Sequence, residues 1–151
     1  MILAIDTSTA ACTVALFDSD GGCIAHCDEM IGRGHAERLV PMIDELLAGR
    51  TATHIIVGVG PGSFTGLRVG IAAAQGLAIG WDADLAGLSS LALLAADATD
   101  GASVAAAMHG GHGELFVQQF DRAPLTPSSP LLSLTPGEAA AAISAPLVVG
   151  P

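Results

Sequence analysis

The run Gly60-Pro61-Gly62-Ser63-Phe64-Thr65-Gly66-Leu67-Arg68 concentrates residue types that handle anions: glycines, hydroxyls and a guanidinium. It follows Ile55-Ile56-Val57-Gly58-Val59, a β-branched apolar run that reads as a buried strand. Gly-Pro-Gly ends that strand, because glycine reaches backbone angles other residues avoid and proline fixes its own φ. Ser63 or Thr65 can cap the following helix through a side-chain oxygen. A helix N-terminus behind a glycine loop offers free N–H groups to a phosphate or carboxylate. Three established patterns nevertheless fail. Serine stands at position 63 where the dinucleotide fingerprint requires its third glycine, and a P-loop requires lysine, which the chain lacks. Pro61 takes the first glycine place of G-x-S-x-G. The same residues also read as a tight strand-to-helix turn with close backbone packing. Other candidate ligands are scattered. Strand alternation sends Cys23 and Cys27 to one face and His26 to the other, so zinc is not expected there. His109 and His112 offer two ligands in a glycine loop, and a solvated loop is expected. Cys12, Cys23 and Cys27, odd in number and set among apolar residues, predict buried reduced thiols.

The helix opened by the glycine loop is the element on which the rest depends. Gly66, Gly70, Ala74 and Ala78 recur every fourth residue and make one flat ridge. Val69, Ala72, Ala73, Gly76 and Ile79 make the other faces apolar too, with Arg68 and Gln75 the polar exceptions. A helix apolar all round is buried in a core or in an interface. Each mid-helix glycine costs about 1 kcal/mol against alanine, so close packing must offset it. The expectation is that this ridge, with Leu39, Ile43 and Leu47 of the preceding helix, forms a partner or dimer interface. Packing of the ridge against the chain's own sheet is the alternative.

The elements that position these residues follow in order. Strands are expected over Ile2–Ile5, Cys12–Phe17 and Cys23–Met30, with Asp18-Ser19-Asp20-Gly21-Gly22 as a hairpin turn. A helix follows Gly34-His35, kinked or started late by Pro41 and stopped by Gly49. After the strand at Ile55 and the long helix come a short strand ending near Leu88 and a helix over Leu91–Ala98. Asp100-Gly101 reads as a turn, Ser103–Met108 and Glu114–Phe120 as strands, and Ala123–Pro130 as an exposed connection. Thr135-Pro136-Gly137-Glu138 is a capping box opening a helix to Ile143, before a last strand at Leu147-Val148-Val149. Two lobes are expected, 1–98 and 99–151.

Composition sets the bounds. A hydrophobic content of 51% and a mean hydropathy of +0.60 raise the question of a membrane. The most apolar helical run, Val69 to Trp81, is interrupted by Gln75 and falls short of the roughly 20 residues a span needs. Met1-Ile2-Leu3-Ala4-Ile5-Asp6 has no basic segment, so a signal peptide is not expected and a cytoplasmic location is. The net charge is −10 and all five basic residues are arginine. Without a cationic cluster the chain repels RNA and DNA, so tRNA contact is expected only indirectly.

The β-β-β-α-β-α order is similar to a ribonuclease-H-like lobe, the building block of the actin, sugar kinase and Hsp70 group, followed by an abbreviated second lobe. That likeness implies a role for Asp6, which stands where a strand-end aspartate handles metal-bound phosphate. With Thr7, Gly60, Gly62, Ser63 and Arg68 it would form a vestigial nucleotide site. An Asx-type capped turn is the other reading of Asp6 and Thr7. Three stretches carry a closer resemblance: Met1 to Thr9, Gly34-His35-Ala36-Glu37-Arg38-Leu39-Val40-Pro41, and Gly58 to Gly70. With Gly87-Leu88-Ser89-Ser90-Leu91 after them, they resemble the TsaB (YeaZ) family. It is covered strongly over the first hundred residues and weakly beyond.

The resemblance implies a non-catalytic scaffold subunit in bacterial synthesis of threonylcarbamoyladenosine in tRNA. It further implies docking to a TsaD-like transferase subunit, assembly with a TsaE-like ATPase, and a homodimer when alone. No cofactor of its own is expected, with ATP or ADP compatible at a partner interface. In that family the transferase uses an H-x-x-x-H metal pair. His26, His35, His54, His109 and His112 contain no such spacing. A self-sufficient nucleotide-hydrolysing enzyme of the actin-like group is the alternative class. The loop Met108-His109-Gly110-Gly111-His112-Gly113 departs from the charged loop of the family. Family members also run several dozen residues beyond Leu147, so the second lobe is expected to be short or incomplete.

Overall fold

The structure, a computed structural model, describes residues 1–98 and 103–150. The turn expected at Asp100-Gly101 lies outside them. Two compact units divide the chain, Met1–Leu88 and Ser89–Pro151.

The first unit is built outward from β1 (Ile2–Asp6). The hairpin partner β2 (Ala11–Phe17) lies antiparallel on one side, and β3 (Cys23–Met30) pairs antiparallel beyond it. Helix α1 (His35–Leu47) carries the chain back to β4 (His54–Gly58), parallel to β1. Helix α2 (Phe64–Trp81) leads to β5 (Asp84–Leu88), parallel to β4. The sheet order is therefore β3-β2-β1-β4-β5. Alternation sends Leu3, Ile5, Cys12, Val14, Leu16, Ile55 and Val57 to one face, where Leu39, Met42, Ile43 and Leu46 of α1 and Ala74 of α2 complete the core. Pro41 neither delays nor ends α1, which runs through it from His35. Pro41 is exposed, so water can serve the carbonyl that lacks its N–H.

Strand β3 corrects the expectation for the cysteines. A bulge shifts the register so that Leu16 opposes Ala25 while Phe17 opposes Cys23, leaving Ile24 as the extra residue. The bulge reverses the alternation at its end, so Cys23 does not share the face of Cys27. Cys23 is exposed, Cys27 half-buried and Cys12 buried, all as free thiols. Burial pushes the Cys12 thiol pKa up, reinforced by the nearby Glu29 carboxylate. On the face of the same strand that α1 covers, Arg38 of α1 binds Glu29 and also reaches Glu45, 3.1 Å away. Hydrogen bonding from Arg38 holds the Glu29 carboxyl below its ordinary range.

In the second unit α3 (Ser90–Asp97) is capped by Ser89. It buries Leu91 and Ala95 with Val104, Ala106 and Met108 of β6 (Ser103–His109) and Phe120 of β7 (Leu115–Arg122). This packing moves the boundary from 98/99 to 88/89, because the helix shares its core with the later strands. The exposed connection expected over 123–130 holds a strand, β8 (Leu125–Pro127), and β9 (Leu132–Leu134) follows; both pair with β7. Three-residue strands are too short to show a period. The capping box forms as expected, Thr135 and Glu138 closing the start of α4 (Pro136–Ala142). Two residues, β10 (Val148–Val149), pair parallel with β6.

Gln119 of β7 ties this last segment down. Its Oε1 accepts from Ser144 N at 2.9 Å, Ser144 Oγ at 3.0 Å and Ala145 N at 2.9 Å, and its Nε2 donates to the Ala142 carbonyl at 3.3 Å. Gln119→Ala is expected to destabilise the protein by about 1–3 kcal/mol in urea unfolding. Amide exchange should accelerate first between Ala142 and Val149. Unchanged exchange there would contradict the clamp.

Candidate functional site

The glycine loop and the β1 turn meet directly. Asp6 ends β1, and its Oδ1 accepts from Ser8 N at 2.9 Å and Ser8 Oγ at 2.7 Å, the Asx arrangement of a capped turn. Its Oδ2 is buried without a partner beneath Gly58, where a Cβ would overlap that oxygen. Thr7 is wholly buried and its Oγ1 donates to the Gly66 carbonyl at 2.8 Å. Ser63 N donates to the Ser8 carbonyl at 2.7 Å, while Ser63 Oγ caps α2 by accepting from Gly66 N at 3.2 Å. Gly60 and Gly62 hold positive φ, and Gly62 lies so close to the Ser8 carbonyl that no side chain fits.

The loop is thus seated on the turn by main-chain contact. Of the candidate nucleotide residues, the structure brings Asp6, Thr7, Gly62 and Ser63 together but seals Thr7 beneath the helix. Gly60 packs beneath Leu67, where a Cβ would lie 2.9 Å from Leu67 Cδ1. Arg68 stands apart: it is exposed and stacks on the Phe64 ring, 4.2 Å from the centroid. Among the described residues no cluster of His, Cys, Asp and Glu suits a metal ion. No described helix is long and apolar enough to cross a membrane.

The ridge expected to dock a partner faces inward. Gly66, Gly70 and Ala74 are the buried residues of α2, and Ala78 packs partly buried on the core. A Cβ at Gly66 would fall under 3.0 Å from the Thr7 carbonyl oxygen, and one at Gly70 equally close to Thr7 Oγ1. Leu39, Ile43 and Leu47 are likewise core residues, at 0%, 3% and 5% exposure. The sheet claims both rows, because the close approach that glycine permits is used by β1 and its turn.

What the two helices present to solvent is a different set. On α2, Ala72, Gly76 and Gly80 repeat every fourth residue and are exposed, beside Ile79 at 84% exposure. Nothing lies within 4 Å of where a Cβ would stand at Gly76 or Gly80. On α1, Val40 is 61% exposed. At the N-terminal ends of both helices a cleft of about 490 Å³ opens between Gly32–Glu37 and Ser63–Val69, lined by Arg33, His35, Glu37, Ser63 and Thr65. His35 is nearly buried there, and its Nε2 lies 3.2 Å from the Ala11 carbonyl. The spacing of Ala72, Gly76 and Gly80 was visible in the sequence beside the inner ridge, but which row faced water was not.

The β3-β2-β1-β4-β5 sheet with its covering helices is an α/β fold of the ribonuclease-H-like type, the fold of sugar kinases. A putative N-acetylmannosamine kinase from Listeria monocytogenes shares the fold at a TM-score of 0.54 and 19% identity, over 83% of this chain and 48% of that one. The family model described as TsaD, tRNA N6-adenosine threonylcarbamoyltransferase, matches residues 24–126. YeaZ from Pseudomonas aeruginosa superposes at a TM-score of 0.80 with 35% identity, covering 89% of this chain and 67% of that chain. The tRNA threonylcarbamoyladenosine biosynthesis protein TsaB of Escherichia coli is 43% identical over 129 residues, 80% of this chain and 55% of the relative. The TsaB of Haemophilus influenzae is 40% identical over 129 residues, 80% of this chain and 54% of that relative. The chain belongs to the TsaB (YeaZ) family. It spans little more than half the length of these two relatives.

Proposed function

We propose that this chain is a non-catalytic scaffold subunit in the synthesis of threonylcarbamoyladenosine in tRNA, docking a TsaD-like transferase subunit through the exposed face of α1 and α2. The observation that carries the reading is the outer row of α2. Gly76 sits in mid-helix, a position costing about 1 kcal/mol against alanine, with no neighbour in the chain that requires it. A second helix approaching from outside supplies the reason. In this reading the same face pairs with a second copy when the partner is absent, since a two-fold contact is the commonest cover for an apolar patch. A TsaE-like ATPase joins the assembly, and ATP or ADP, where used, is held at a partner interface. The transferase carries the tRNA, because a net charge of −10 supplies no counterion release.

The rival, nucleotide hydrolysis by the chain alone through Asp6, Thr7 and the glycine loop, is disfavoured by the buried Thr7 and by the loop seated on Ser8. The purified chain should show no ATP turnover above background, and co-expression with the host's transferase subunit should yield a stoichiometric complex on size exclusion. Turnover by the chain alone that Asp6→Ala abolishes would sink the scaffold reading.

A further inference from the structure

Resting on the docking reading above, we propose that the N-terminal end of the α1/α2 face is its polar anchor, with Arg33 and Arg68 receiving carboxylate side chains of the docked protein. The first unit has four arginines, Arg33, Arg38, Arg50 and Arg68. Arg38 is committed to Glu29 and Glu45. Arg50 is committed to the carbonyls of Leu47 and Leu46, at 2.8 and 3.1 Å. Arg33 and Arg68 are both exposed and have no carboxylate partner among the described residues, in a chain with 15 acidic residues. Both stand at the same end of the helix pair. Arg33 precedes α1 and lines the cleft, while Arg68 lies in the second turn of α2, outside the cleft's lining and stacked on Phe64 at the same helix end.

Two further features suit that end to negative charge. The positive ends of two helix dipoles converge on the cleft, and α1 has no side-chain cap. The ring of Phe64, 74% exposed, braces the Arg68 guanidinium, so less side-chain entropy is lost when it pairs. Glu37 lowers the local surplus to one positive charge, which favours a few placed carboxylates over a polyanion. The long negative track of a nucleic acid would meet the acids elsewhere on the chain. The occupant is therefore an acidic segment of the docked protein, and the apolar row from Ala72 to Gly80 supplies the rest of the contact.

The test uses the full chain and the host's transferase subunit by calorimetry at several salt concentrations. Arg33→Gln with Arg68→Gln should weaken the complex about 10- to 100-fold and flatten its salt dependence, with the melting temperature of the free chain unchanged. Charge reversal at both positions should be rescued by lysine at an acidic position of the transferase subunit. Unchanged affinity and salt slope in the double variant would overturn the proposal. So would a loss seen only when tRNA is present, which would assign the arginines to phosphate. Gly76→Trp in parallel separates the two claims: if it too leaves the complex intact, the docking face itself is wrong.

Discussion

Gly66→Ala should destabilise the protein by about 3 kcal/mol or more, lowering the melting temperature by roughly 6–12 °C, and leave association of the folded fraction unchanged. The added methyl would meet the Thr7 carbonyl oxygen, a main-chain atom that moves only if β1 or α2 moves. It would also disturb the hydrogen bond from Thr7 Oγ1 to the Gly66 carbonyl, 2.8 Å long and wholly buried. Leaving a buried donor unpaired adds about 1–3 kcal/mol. A differential scan measures the first effect and sedimentation of the refolded fraction the second. Normal stability with lost association would return the inner ridge to the interface and refute the placement given above.

Gly76→Trp should do the reverse. No atom lies within 4 Å of the position its Cβ would take, so the folded monomer accommodates the indole in solvent and melts as the unsubstituted monomer does. If another helix lies across the row Ala72, Gly76, Gly80, the ring fills the space its backbone needs. The complex with the transferase subunit should then weaken at least about 100-fold, or roughly 3 kcal/mol. Gly76→Ala is the control for folding: the free chain should gain about 0.5–1 kcal/mol, because alanine removes the entropy glycine loses on entering a helix. A tryptophan variant that folds and still binds normally would leave the outer row without a function.

Most of the first unit was legible before the structure. The apolar runs at Ile2, Cys12 and Ile55 have the length and alternation of strands, and Asp18 to Gly22 has the composition of a hairpin turn. Ser63 caps α2 and the Thr135 capping box forms, because caps are local chemistry that the sequence states directly. The two short strands that pair with β7 were not legible, since three residues carry no period and their pairing is long-range. The bulge at Ile24 was hidden for a related reason: a register is a relation between two strands, and neither strand alone records it.

By itself the sequence determined that α2 is a helix, apolar on every face but for Arg68 and Gln75, with a ridge of small residues, and that the glycine loop precedes it. Tertiary structure alone decided which row meets the sheet. Gly66, Gly70 and Ala74 lie against β1 and its turn, while Ala72, Gly76 and Gly80 face outward. Both rows have the same composition and the same four-residue spacing, so no periodicity distinguishes them. The choice is made at Thr7 and Ser8, whose main chain must lie against the start of α2 to satisfy Thr7 Oγ1 and Ser63 N. That contact fixes the helix's rotation about its axis. It closes the loop on the turn and leaves the outer row facing solvent.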